Sequence, residues 1–152
     1  DGDGLWADRY PAIDPQRAMH VGDIAVRGSG TDLAIVTYGN GVLLAEQAAA
    51  SLRSDHGVDA RVIDLRWLAP LPIDAVIAAV NDCSRVLIVD ECRETGSQSE
   101  ALVALFAERG RQDVYRECAA DSFIATGPAF GATLPSCESI VAAARRAVFD
   151  LS

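Results

Sequence analysis

Short runs of β-branched and aliphatic residues alternate four times with apolar residues at helical spacing, and that rhythm leaves few folds open. Residues 33–37 are continuously apolar up to a threonine, and Leu44, Ala48 and Leu52, with Ala45 and Ala49 beside them, follow as a helical stripe. A second strand spans 60–65. Ile73, Val76, Ile77 and Val80 then recur at i, i+3, i+4 and i+7. A third strand covers 85–91, and a helix over 97–109 turns Ala101, Leu102, Leu105 and Phe106 inward. A fourth strand covers 113–119, with Tyr115 and Glu117 on one face and Val114, Arg116 and Cys118 on the other. Ser136 is placed to cap a last helix lined by Ile140, Val141, Ala144 and Val148, with Glu138 in its first turn, where a carboxylate suits the helix dipole. A further short strand and turn lie in 23–30. Strands alternating with helices predict an α/β domain: a three-layer α/β/α sandwich around a mostly parallel sheet of about five strands, with right-handed crossovers.

The size fits one such domain. A chain of 152 residues buries roughly 70% of the surface its unfolded form exposes, enough for its own core. Residues 1–22 differ: they hold two prolines, three glycines and no sustained period, and read as an arm or linker, with the domain proper over 23–152. The opening "DGDG" lacks the later ligands of a calcium loop, since Leu5 and Ala12 stand at the fifth and twelfth positions.

Charge and composition narrow the chemistry. The net charge is −9, which speaks against nucleic acid or an anionic membrane as partner, because both need a basic face. All 13 basic residues are arginine. Without lysine this chain has no Walker-type phosphate lysine, no Schiff base and no Ser-Lys pair. Cys83, Cys92, Cys118 and Cys137 form no CxxC pair, so zinc and dithiol redox sites find no support, and reduced thiols in the cytoplasm are the expectation.

Four stretches carry candidate sites. The turn 38–41, "YGNG", joins a strand to a helix. Such a turn cradles a phosphate or simply packs tightly, and Leu44 stands where a dinucleotide fingerprint needs its third glycine. Asp64 and Arg66 end the second strand, either as an ion pair or with Arg66 reaching an anion, before the apolar, proline-bearing "WLAPLP". Asp90 and Glu91 end the third strand. Adjacent strand residues point to opposite faces, so they are not a dyad aimed at one atom. The two histidines, His20 and His56, lie in no nucleophile context, and there is no GxSxG elbow. The residues themselves offer no catalytic set and no metal cluster, and an interface role suits Asp90 and Glu91 better than catalysis. Cys92 is a thiol beside them. Asp121 opens an irregular stretch with an Asx-type turn.

Four blocks in order, "DLAIVTYGNGVLLAEQAA", "ARVIDLRWLAPLP", "RVLIVDECRETGSQSEAL" and "ADSFIATGPA", resemble the C-terminal transketolase-type domain of the 2-oxo acid dehydrogenase decarboxylase component. That domain ends the beta subunit, or the fused alpha/beta chain. The resemblance implies a parent enzyme that uses thiamine diphosphate and magnesium to decarboxylate pyruvate or a branched-chain 2-oxo acid and passes the acyl group to a lipoyl acyltransferase. The cofactor would be held by two other domains, the diphosphate- and pyrimidine-binding ones, with none bound here. This domain would serve assembly, in a homo- or hetero-oligomer, and the arm would lead from the pyrimidine-binding domain. Glu91, Gly96 and Glu100 match the family pattern. With Asp121 they are the expected interface residues. Asp90 stands where many beta subunits have His, and Ser97 where a second glycine is usual. Transketolase and deoxyxylulose phosphate synthase share the domain type. A free-standing module that docks to such a complex, and a small anion-binding domain built on the 38–41 turn, are the alternatives.

Overall fold

A computed structural model describes residues 18–149; most of the expected arm, residues 1–17, lies outside them. In chain order the elements are β1 (Ala25–Arg27), β2 (Leu33–Thr37), α1 (Gly41–His56), β3 (Ala60–Asp64), α2 (Ile73–Val80), β4 (Arg85–Arg93), α3 (Gln98–Glu108), β5 (Val114–Ala119), a 3-10 turn (Gly127–Ala132) and α4 (Cys137–Phe149). The five strands form one sheet in the order β1-β3-β2-β4-β5. β2, β3, β4 and β5 run parallel, and β1 closes one edge antiparallel to β3, with Ala25 opposite Asp64.

The alternation along each strand sorts side chains between two cores. Leu33, Ile35, Val62, Leu87 and Val89 face α1 and α4, where they meet Ala45, Ala48, Leu52, Ile140 and Ala144. Ala34, Val36, Ile63, Val86 and Ile88 face α2 and α3, against Val76, Val80, Leu102 and Phe106. β2 is buried at all five positions because helices cover both faces, which is why it reads as a continuous apolar run.

Small differences from the sequence reading have local causes. In α3 the buried residues are Ser99, Leu102 and Phe106, and Ala101 faces solvent. The helix is rotated so that Ser99 comes under β4, where a carboxylate receives its N–H. In α1 the buried stripe runs through Val42, Ala45, Ala48 and Leu52, one step round from Leu44. Ser136 caps α4 as expected: its Oγ accepts the Ser139 N–H at 3.1 Å, and Ser139 Oγ accepts the Ser136 N–H at 3.0 Å, a reciprocal box.

Arginines stitch the amino end of the sheet. Arg61 donates to the Gly30 carbonyl at 2.6 Å and to both carboxylate oxygens of Asp82 at 3.0 and 2.9 Å. Arg111 donates to the Val80 carbonyl and to Asp113, each at 2.9 Å. These are multidentate roles for a planar fork, which a lysine would fill poorly.

At two glycines a Cβ would meet a close neighbour, backbone at one and a side chain at the other. A Cβ on Gly30 would lie 2.3 Å from the Asp59 carbonyl oxygen, and one on Gly41 would lie 2.3 Å from Thr37 Oγ1. Near its end β4 bulges: Asp90 pairs with Cys118 and Arg93 with Ala119, so Glu91 and Cys92 are extra to the ladder.

Candidate functional site

The chain crosses from β2 to β3 on one side and reaches β4 on the other, so the strand order reverses between β2 and β4. In open parallel sheets ligands and partners meet the protein at the carboxyl ends of the strands beside that reversal. Here the crevice is bounded by the β2–α1 turn and the bulged end of β4.

Asp90 lies at its floor on the α2/α3 side, 1% exposed. Its Oδ1 accepts the Tyr38 hydroxyl at 2.5 Å and the Cys92 N–H at 2.9 Å. Its Oδ2 accepts the Ser99 N–H at 2.9 Å, in the first turn of α3. Asp90 therefore caps α3 from a neighbouring strand, in place of Ser97, whose hydroxyl bonds Ser99 Oγ at 2.7 Å instead. Burial pushes the Asp90 carboxyl upward, but the bonds from Tyr38, Cys92, Ser99 and Ser97 together outweigh it and hold the pKa below the ordinary value. Burial, then the bonds with Asp90 and Cys92, drive the Tyr38 phenol far above its ordinary value. The pair is a fixed neutral donor on a fixed anion. A carboxylate held by donors from Tyr38, Cys92, Ser99 and Ser97 is a structural anchor, not a free base.

Glu91 turns to the other face, as strand alternation requires. It stands over the start of α1, where Asn40 hydrogen-bonds its carboxylate and the Gly39 Cα comes close enough that a Cβ there would be 3.9 Å from Oε2. Burial, with help from the Asp90 charge, raises its pKa, and the Asn40 bond only partly offsets this. The acid occupies the positive end of α1. A phosphate at the 38–41 turn would have to displace it, which counts against the anion-binding alternative.

Gly96, Glu100 and Asp121 come together at the start of α3. The Gly96 N–H donates to Glu100 Oε2 at 2.8 Å, and Asp121 accepts the Thr95 hydroxyl at 2.8 Å. Gly96 has φ of 73°, the left-handed region that suits glycine. Arg93, Thr95, Gly96, Asp121, Ser122 and Phe123 line an open groove of about 500 Å³ beside the crevice. Glu91 is separate from this group, across β4. Arg66 pairs with Asp64 at 2.9 Å, the first of the two options the sequence left open, and does so at φ of 59°.

The histidines do not join the site: His56 ends α1 at the opposite end of the sheet, and His20 is exposed in the turn before β1. Among the described residues no three His, Cys, Asp or Glu side chains are grouped to hold a metal ion. No described helix is long and apolar enough to cross a membrane. Sequence reasoning missed Tyr38 and Ser99. The parity of Tyr38 with Ala34 and Val36 put it on the Asp90 face, and that was the available signal.

Residues 22–141 match the family model "Transketolase, C-terminal domain". The chain is 31% identical to the Bacillus subtilis pyruvate dehydrogenase E1 component subunit beta over 91% of its own length and 43% of that protein. It is 30% identical to the Mycobacterium tuberculosis 3-methyl-2-oxobutanoate dehydrogenase subunit beta over 83% of its length and 41% of that protein. Among solved structures, a split-gene transketolase described as an inactive beta4 tetramer superposes with a TM-score of 0.81 at 22% identity, over 92% of this chain and 46% of that one. The chain thus spans under half the length of these relatives, and it belongs to the transketolase C-terminal domain family.

Proposed function

We propose that this chain is the C-terminal domain of the beta subunit, or of a fused alpha/beta chain, of a thiamine diphosphate-dependent 2-oxo acid dehydrogenase acting in the cytoplasm on pyruvate or a branched-chain 2-oxo acid. One observation carries the reading: a self-contained domain with its own two cores aligns along nearly its whole length with less than half of such beta subunits. Its crevice supports an assembly role. Asp90 is spent on capping α3 and Glu91 on covering α1.

The residues present do not fit the cofactor. A diphosphate with magnesium needs free donors and grouped carboxylates; the glycine turn at the start of α1 is covered by Glu91, the Gly96 N–H at the start of α3 is taken by Glu100, and no metal-holding cluster is found among the described residues. Thiamine diphosphate and magnesium therefore belong to the diphosphate- and pyrimidine-binding domains of the parent. Glu91, Gly96, Glu100 and Asp121 act as contact residues in this reading. The net charge of −9 suits a basic docking module on the lipoyl acyltransferase core.

Reconstitution tests the proposal. The thiamine-binding portion of the parent is assayed for 2-oxo acid-dependent reduction of an artificial electron acceptor, with and without this chain. Activity that rises on addition is the expected result, and the best substrate names the oxo acid. No association between two folded pieces would favour a free-standing module.

A further inference from the structure

The exposed large apolar side chains are unevenly placed. Phe123 is 98% exposed, Val21 65%, Ile124 54% and Leu68 40%. All four sit beyond the carboxyl ends of the strands: Leu68 follows β3, Phe123 and Ile124 follow β5, and Val21 precedes β1, whose first residue lies beside the last residue of β3. The connections at the amino end, residues 28–32, 57–59, 81–84 and 109–113, carry no such side chain among the described residues. Of the other two exposed apolar residues, Val26 lies on the edge strand and Phe149 at the last turn of α4, towards the amino end. Single exposed apolar residues are ordinary, but their gathering on one end marks a contact surface.

The direction of β1 says what lies over it. Because β1 runs against β3, with Ala25 opposite Asp64, the polypeptide before residue 25 comes in over the carboxyl end. The matched family is a C-terminal domain, so in the relatives the remaining sequence precedes it. The described chain therefore enters the domain at the end where the apolar side chains are exposed.

We propose that the carboxyl end of the sheet is the seat of the domain that precedes this one in the parent polypeptide. Phe123, Ile124 and Leu68 are the apolar anchors, and the groove beside Phe123, with Arg93 and Asp121 on its walls, receives a side chain from that domain. This rests on the reading of the chain as the C-terminal part of a larger subunit. It assigns to one end of the sheet what composition left open, and it leaves the amino end, stitched by Arg61 and Arg111, to solvent or other partners.

Hydrogen exchange by mass spectrometry on the full-length polypeptide and on the 152-residue chain decides it. Peptides covering 66–71 and 121–127 should exchange on the order of tenfold more slowly in the full-length protein, while 28–32 and 109–113 stay unchanged. The Leu68→Asp, Phe123→Asp double variant should abolish that protection and leave the exchange of β2 and β4 as it was. Equal exchange at 66–71 and 121–127 in both proteins would overturn the inference and leave the proposed function standing. Protection that grows with concentration in the 152-residue chain alone would make a second copy the occupant, and would overturn it as well. A gene with no thiamine-binding sequence before this domain would remove the functional reading and this inference together.

Discussion

Tyr38 and Asp90 lie 52 positions apart in sequence and 2.5 Å apart in space, hydroxyl to carboxylate. The bond ties the end of β2 to the end of β4 across the strand reversal, and through Ser99 it reaches the first turn of α3. A bond to a buried charge contributes about 1.5–3 kcal/mol. Tyr38→Phe should lower stability within that range, read by urea denaturation followed by circular dichroism. A loss below about 0.5 kcal/mol would mean the remaining donors, from Cys92, Ser99 and Ser97, suffice.

Asp90 makes part of the stability dependent on acid. Its folded pKa lies below the ordinary value, so its contribution is fully present above the unfolded carboxyl pKa of about 4 and is lost as pH falls through the folded one. Asp90→Asn should be less stable than wild type at pH 7, and the gap should close below about pH 4. Parallel curves across that window would show that the carboxylate charge is not what Tyr38 and Ser99 hold.

Glu91 has the opposite sign. Its folded pKa is raised, so the folded state takes up its proton more readily than the unfolded one, and stability falls as pH rises from the unfolded value through the folded value. Glu91→Gln keeps an acceptor for Asn40 and removes the charge. Thermal unfolding should find it at least as stable as wild type at pH 7, with the two converging below pH ~4. A clear loss at pH 7 would mean that the charge itself steadies the start of α1.

The two close glycines should differ. Gly30→Ala drives a methyl into the Asp59 carbonyl, which is backbone, whereas Gly41→Ala meets the side-chain hydroxyl of Thr37, buried without a hydrogen-bond partner. Overpacking costs about 1–3 kcal/mol, and Gly30→Ala should be the costlier. Thr37→Ala should recover part of the Gly41→Ala loss, giving a coupling of about 0.5–3 kcal/mol in a double-mutant cycle. Additive losses would place the Gly41 requirement in the backbone instead.

Much of this was legible beforehand, because it depends on period. Val36, Ile88 and Val89 are apolar on both faces since helices lie on both, and the four strand–helix repeats follow from that. The opposed facing of Asp90 and Glu91 agrees with alternation, which holds through the first residue of the bulge. What escaped depends on rotation and long-range pairing. Nothing local distinguishes Ser99 from Ala101 as the inward residue of α3; the distant Asp90 carboxylate selects it. Tyr38 looked like part of a glycine turn, and its partner lies 52 residues away. The antiparallel course of β1 is set by pairing with β3, which a three-residue strand does not announce.

The bulge at Glu91 and Cys92 has a consequence for how this protein can change over time. A residue inserted into a regular strand swaps the facing of every side chain after it. These two already stand outside the ladder, between the pair at Asp90 and the pair at Arg93, so gaining or losing a residue there would leave the remainder of the sheet in step. A change of length there would be felt in the bonds that Cys92 makes to Asp90 and Asn40 makes to Glu91, while the sheet beneath keeps its alignment.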